Sequence, residues 1–391
     1  MAAVVTVLSA QTPSEPPREW IEPATGHRVV RLSDEPGSAS LYFHQNPYTA
    51  KGDLLVISVP GGLATLALPP TAKPKITPLV SGRVSHLVVG PKTRQAYYIQ
   101  NGIVYGVDLD TRVVRTILGD ARLRTGSGFG LSADETLLAG SYVEGTPPAA
   151  PPAPAAPANP LATPPPRESS LETRWAARLP MALYTLNVKT GEIKTIYRST
   201  DWLNHVQMSP TDPTLIMFCH EGPWHKVDRI WTIRTDRSNR RLMHERTMDM
   251  EIAGHEFFSS DGKTIWYDLQ TPKSQVFWLA GVDVAGGGRI KYPVERINWS
   301  VHFNQSHDGM LFAGDGGGPN SVAAPGNGQW IYLFGAANGH LEAERLVDLS
   351  KHDYQLEPNV TFTPDNRWIV FRSNLHGASH VYAVEVAGKE R

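Results

Sequence analysis

Short apolar bursts of four to seven residues, each closed by a turn, recur along most of this chain. FFSSDGKTIWYDL, FNQSHDGMLFAGD and VTFTPDNRWIVFRS each join a polar-led strand to a more apolar one through an Asp-containing turn. SPTDPTLIMFCH and LSADETLLAGSY follow the same plan. Companion stretches such as IVYGVDLDTRVVRTI, ALYTLNVKTGEIKTI and RIWTIRTDRSNRRLM add two further strands about a polar turn. Period-two alternation interrupted this often predicts antiparallel sheet, and no sustained 3.6-residue pattern with caps competes with it.

These units begin near His44, His86, Gly128, His205, His255, His302 and Asn359, about 40 to 60 residues apart once one insert is set aside. Seven units of four strands predict an all-β fold, a seven-bladed β-propeller of four-stranded antiparallel blades, as one domain over residues 23–391. The last unit stops one strand short after VYAVEV, and the early segment HRVVRLS (His27–Ser33) is a spare strand that can complete it. Ring closure of this kind removes an exposed sheet edge. The Pro/Ala-rich insert at 145–170 falls inside the third unit. Prolines this dense cannot ladder into a sheet, so the insert reads as a solvated loop, or as a lid over the propeller mouth. Residues 1–22 read as a disordered tail or the remnant of an export signal. AVVTVLSAQ resembles the end of a signal peptide but lacks a basic leader, which points to a periplasmic or secreted protein with a cytoplasmic one as the alternative.

Charge narrows the partners. With 37 Lys and Arg against 38 Asp and Glu, the chain lacks the basic excess of a dedicated nucleic-acid binder. No apolar run approaches the length of a membrane span. The single cysteine, Cys219, excludes an intrachain disulfide and a CxxC zinc site. A monomer or a homodimer suits this composition.

Candidate chemistry follows the turn aspartates. His255 lies six residues before Asp261, His302 six before Asp308, and Asn359 six before Asp365, with His205 six before Thr211. In a propeller this position starts the innermost strand and faces the central channel. A lone histidine is more often structural, but equivalent positions in one ring point to a site. His44, Gln45 and His86 are candidates by ring position alone. Glu357, two residues before Asn359, shares its strand face. His302 with Gln355, Glu357 and Asn359 forms a mixed nitrogen and oxygen set, suited to Mn²⁺ or Ca²⁺, and His352 is a possible replacement ligand. The stretch FCHEGPWHKVDR concentrates His220, Glu221, Trp224 and Arg229 on the exit of an apolar strand. Neither HExxH nor GxSxG occurs, and GDGGGPN (Gly314–Asn320) reads as a turn, with no helix behind it to make a phosphate cradle.

FCHEGPWHKVDRIW, GHEFFSSDG, SVHFNQSHDGMLFAGDG and PNVTFTPDNRWIVFRSNLHG resemble the oligogalacturonate lyases of the pectate lyase family 22 type, from about Thr25 to Val386. The resemblance implies a seven-bladed propeller that cleaves short galacturonides by β-elimination with a bound divalent metal, typically Mn²⁺. It implies His255 as the base, Arg229 as the group that grips the substrate carboxylate, and His302 as a metal ligand. His205, His220, Glu221, Trp224, His44 and Gln45 are then substrate-side candidates, with Trp224 placed to stack on a sugar. The chain departs from the family where the usual Gln and His-Pro-His give way to Gln355, Glu357, Pro358 and Asn359. Two alternatives stay open: a lyase on another uronate glycan, such as glucuronate or rhamnogalacturonan fragments, and a non-catalytic TolB-like propeller binding protein or glycan.

Overall fold

The computed structural model describes residues 15–145, 167–322 and 328–386. Among them the strands form seven antiparallel sheets in chain order, the blades of a propeller. Blade 1 comprises Leu54–Val59, Gly62–Ala67 and Ile76–Ser81. Its innermost position is filled by residues 39–48, which join the sheet through bridges at Ala39–Ser58 and Tyr48–Leu55. Blade 2 spans His86–Val89 to Val114–Gly119, and blade 3 spans Ser127–Leu131 to Ile193–Ser199. Blade 4 runs from Trp202–Met208 to Arg241–Leu242, blade 5 from Ile252–Phe258 to Arg289–Val294, and blade 6 from Phe303–Gln305 to His340–Asp348. Blade 7 joins Thr361–Phe362, Trp368–Ser373 and His380–Glu385 to the N-terminal strand Arg28–Arg31. Val29 pairs with Val384 and Arg31 with Tyr382, so the ring closes as the spare strand predicts.

Two local differences from the sequence reading have simple causes. Glu19–Ile21 forms a fifth strand on blade 7, pairing Trp20 with Val29, inside the segment read as a tail. Trp20 packs on the apolar cluster between blades 6 and 7, which outweighs the prolines before it. At the other site, Arg167–Ala176 is an α-helix, so ordered structure begins within the 145–170 insert. Its sequence RESSLETRWA contains no proline and is rich in helix-compatible residues. The insert's residues 146–166, like the signal-like residues 1–14, lie outside the described residues.

The core is divided rather than central. Among the described residues each of seven apolar clusters lies between two neighbouring blades: Phe218 with Leu183 between blades 3 and 4, Met217 with Tyr267 between 4 and 5, Phe303 with Phe257 between 5 and 6. The middle strands are therefore buried on both faces, as in Leu215–Glu221, where six of the seven residues are buried. Because the blades bury their apolar faces against each other, the axis is left to the side chains that begin the innermost strands. The turn aspartates hold this frame. Ser259 Oγ donates to Asp261 at 2.6 Å, Ser306 to Asp308 at 2.6 Å and Thr363 to Asp365 at 2.6 Å, each closing a first hairpin.

Candidate active site

Backbone irregularity builds the ring. The innermost strand of blade 4 shifts register between Asn204 and Gln207, and that of blade 5 between Gly254 and Phe257. His205 and His255 sit in these bulges with φ of 47° and 51°, and Asn359 of blade 7 has φ 56°. Non-glycine residues held in the left-handed region cost of order 1–3 kcal/mol each and cluster where a side chain must be re-aimed. In blades 4 and 5 the bulge re-aims the histidine side chain.

The largest charged assembly centres on Arg229. This buried guanidinium donates from Nε to Glu256 Oε2 at 2.9 Å and from NH1 to Glu221 Oε1 at 2.5 Å, and it lies 4.8 Å from the Trp224 ring centre. Trp224 Nε1 donates to the same Glu221 oxygen at 3.0 Å. Burial alone would raise the Glu221 pKa, but Arg229 and His205 hold it down to about 2. His205 Nε2 lies 3.5 Å from Glu221 Oε2 and Nδ1 lies 3.8 Å from Glu256 Oε1. Burial and then Arg229 push its pKa down. Cys219, His205 and Glu221 each bring a donor atom within 4.8 Å of the others. That trio is a poor cation site, because Arg229 already rests on Glu221 and burial pushes the Cys219 thiol pKa well up, so it stays protonated.

A second assembly surrounds His302. Its Nδ1 lies 2.7 Å from Asp315 Oδ2, and its main-chain N–H donates to Asp315 Oδ1 at 2.8 Å. A carboxylate at Nδ1 accepts the ring N–H there, the tautomer that leaves Nε2 with its lone pair. Nε2 is buried, has no hydrogen-bond partner among the described residues, and faces Glu357 Oε2 at 3.8 Å. His255 packs on this ring with centroids 4.5 Å apart and on Trp224 at 4.9 Å. Gly254 permits that packing, since a Cβ there would fall 2.5 Å from the Trp224 ring. Tyr42 also packs on His302, at 5.2 Å, and burial followed by the Glu357 charge raises its pKa well above the usual phenol range.

Two cavities share the innermost strands. The upper one, about 740 Å³, is lined by Trp224, His255, Gln270, Trp299, Tyr354 and Glu357, with Leu171 and Glu172 of the helix on its wall. The lower one, about 390 Å³, lies at the hairpin turns and is lined by Phe43, His44, Gln45, Phe257 and Ser259. The helix is fixed to blade 4 where Lys226 pairs with Glu172 at 2.5 Å.

The structure therefore unites His255, Glu357 and Trp224 at one cavity, with His302 buried against His255, and places Arg229, Glu221 and His205 directly behind it. The other sequence candidates go elsewhere. His220 lies on the opposite strand face from Glu221, 3.2 Å from Asp201 Oδ2 and stacked on Trp231 at 5.1 Å. His44 and Gln45 line the lower cavity, though His44 also packs on Tyr42 at 5.0 Å and on His205 at 5.9 Å, and burial pushes its pKa well down. His86 Nε2 lies 3.2 Å from the Gly126 carbonyl. Asn359 accepts from Phe43 N at 3.1 Å and donates to the Glu357 carbonyl at 3.0 Å, so its amide serves the main chain. Gln355 is exposed at the cavity rim, and both ring nitrogens of His352 are engaged, by Ser373 Oγ at 2.9 Å and the Leu356 carbonyl at 2.6 Å.

Four residues that the sequence reading passed over belong to the site: Asp315, Glu256, Tyr42 and Arg372. Arg372 Nε donates to the Glu357 carbonyl at 2.7 Å and fixes the turn that carries that carboxylate. Asp315 lies inside GDGGGPN, on the strand partner of the His302 segment. Glu256 directly follows His255 in GHEFF. These adjacencies were the available signals.

Comparison with known proteins gives a consistent picture. A family model described as oligogalacturonate lyase matches residues 173–389. The oligogalacturonate lyase of Dickeya dadantii is 30% identical over 223 residues, covering 52% of this chain and 55% of that protein. The oligogalacturonide lyase of Pectobacterium atrosepticum is 30% identical over 220 residues, with the same coverage of 52% and 55%. The matched region thus spans about half the length of these curated relatives. An oligogalacturonate lyase solved in complex with manganese superposes with a TM-score of 0.78 at 23% identity, covering 95% of this chain and 96% of that one. The Vibrio parahaemolyticus oligogalacturonate lyase gives 0.78 at 22% identity, covering 95% and 97%. At these identities the two structures show a shared fold.

Proposed function

Because the chain belongs to the oligogalacturonate lyase family, we propose that it cleaves short uronate-containing oligosaccharides, galacturonides foremost, by β-elimination with His255 as the base. One observation carries this reading: His255 lines the upper cavity against His302, whose Nε2 is held as a lone pair facing Glu357.

The reaction removes the proton from C5, beside the uronate carboxylate, and expels the O4-linked group from C4. That C–H becomes acidic only when the carboxylate's charge is neutralised and the developing enolate-like anion is stabilised. His255 takes the C5 proton, the released pair forms C4=C5, and the C4–O4 bond breaks with its pair leaving on O4, which takes up a proton from water. Trp224, fixed by Glu221 and Gly254, holds one face of the His255 ring and closes the cavity beside it. Asp315 and Tyr42 fix His302 from behind.

His302 and Glu357 fit a divalent cation. A buried imidazole nitrogen without a hydrogen-bond partner among the described residues faces a carboxylate, a mixed pair of the kind that suits Mn²⁺. Such an ion would neutralise the uronate carboxylate and so acidify C5–H. Glu357 beside an anionic substrate also calls for a cation between them. Asn359 and Gln355 do not complete the set. Arg229 matches the family's carboxylate-binding role only through NH2, because Nε and NH1 are already held by two carboxylates. Its charge is largely spent on locking Glu221, Glu256 and Trp224 behind the base.

Incubation with saturated oligogalacturonides and Mn²⁺ is expected to generate the ultraviolet absorbance of a C4=C5 uronate. Silence on a full panel of uronate glycans, with or without metal, overturns the reading in favour of a non-catalytic propeller. The substitution of a carboxylate and an amide for two imidazoles favours a second reading, the same chemistry on a glucuronate or rhamnogalacturonan fragment. Product masses across acidic glycans separate the two.

A further inference from the structure

We propose that Arg296, on the rim of the upper cavity, binds the carboxylate of a second uronate next to the one being cleaved. The proposal rests on the uronate reading given above. Arg296 lies in the turn between blades 5 and 6 and lines the same cavity as His255 and Glu357. Its Nε donates to the Val322 carbonyl at 2.7 Å, which fixes the plane of the guanidinium. Among the described residues no carboxylate pairs with it, so its two terminal amino groups keep their donors for a ligand. An arginine held in this way presents a fork that matches a carboxylate.

The surroundings favour an anion at that end. Of the other carboxylates on the wall, Glu172 is neutralised by Lys226 at 2.5 Å, and Asp353 accepts the Gln355 N–H at 3.0 Å. Three residues after Arg296, Trp299 lines the cavity with its Nε1 tied to Asp268 Oδ1 at 3.0 Å, which holds the indole as a rigid wall for a sugar. At about 740 Å³ the cavity has the capacity of a drug-sized ligand, more than one sugar ring occupies.

The test uses the full chain carrying His255→Ala, so that intact ligands can be titrated by calorimetry. Adding Arg296→Gln is expected to weaken saturated trigalacturonate about tenfold, the worth of one partly exposed charge-assisted contact. Galacturonate monomer is expected to lose nothing, the trimer with methyl-esterified carboxylates is expected to bind equally to both variants, and Arg296→Lys is expected to restore part of the loss. An equal loss for monomer and trimer, or a loss that persists with the esterified trimer, overturns the subsite and leaves Arg296 a structural role. If galacturonides bind but Arg296→Gln changes nothing, the subsite alone fails. If no uronate binds and the unmutated chain is also inactive, the functional reading fails and the subsite falls with it.

Discussion

The two sides of the propeller's ring solve the same geometric problem with different residues. Where blade 3 meets blade 4 the innermost strands close almost into contact. Gly128 of blade 3 has φ 75°, and a Cβ there would fall 2.6 Å from the main-chain nitrogen of Val206 in blade 4. Across blades 4 to 7 the strand starts stand apart, and the equivalent left-handed positions carry His205, His255 and Asn359. Glycine marks the place where backbone fills the axis, and histidine marks the place where side chains do. The fold supplies the same bulge in both cases, and the spacing between neighbouring strands decides whether it becomes a joint or a site.

The largest expected effect contrasts two ring histidines. If the chemical side is blades 4 to 7, His255→Ala lowers kcat by about 10²–10⁴, the usual worth of a general base. His86→Ala, whose ring bonds only the Gly126 carbonyl among the described residues, leaves turnover unchanged. Steady-state rates of product absorbance measure both. Equal losses in the two variants would erase the distinction between the two sides.

Stability should show the same asymmetry. Arg229→Met strands Glu221 and Glu256 as buried, unpaired charges and is expected to cost about 3–5 kcal/mol. Arg122, half exposed on the blade 2 side and paired with Asp120, is expected to cost less than about 1 kcal/mol on the same change to Met. Denaturant unfolding of the two variants reads the difference.

The ring was legible in the sequence because its ruler, the hairpin aspartate, is a local device. Asp261, Asp308 and Asp365 each bond a Ser or Thr two residues earlier, so short-range pattern carries long-range register. The blade count and the closing strand follow from the same periodicity. Partnership across the ring was not legible. Tyr42 reaches His302 from 260 residues away in sequence, and the Phe43 N–H that engages Asn359 comes from 316 residues away. No spacing rule announces such contacts. The orientation of His220 was readable and was missed, since alternation along Leu215–Glu221 puts it on the face opposite Glu221. The helix after the insert was hidden by the prolines before it.

The smallest predicted effect lies in two buried carboxylates of blades 4 and 5 that differ in whether a guanidinium meets them. Burial works against the charged form of both. For Glu221, Arg229 overcomes it and the pKa falls to about 2, whereas Asp268, bonded among the described residues to Trp299 and Gln270, rises to about 7. The signs are opposite. For Glu221 the unfolded chain takes up the proton first as pH falls, so its stabilisation is complete above the ordinary glutamate range and is lost between there and about pH 2. For Asp268 the folded state keeps its proton longer, so stability declines as pH rises from the ordinary aspartate range to about 7. Melting temperature against pH is therefore expected to lose part of its acid-side slope in Glu221→Gln and part of its decline from about pH 4 to 7 in Asp268→Asn. A single slope removed by either substitution would mean that the two carboxylates titrate as one system and that Arg229 does not set them apart.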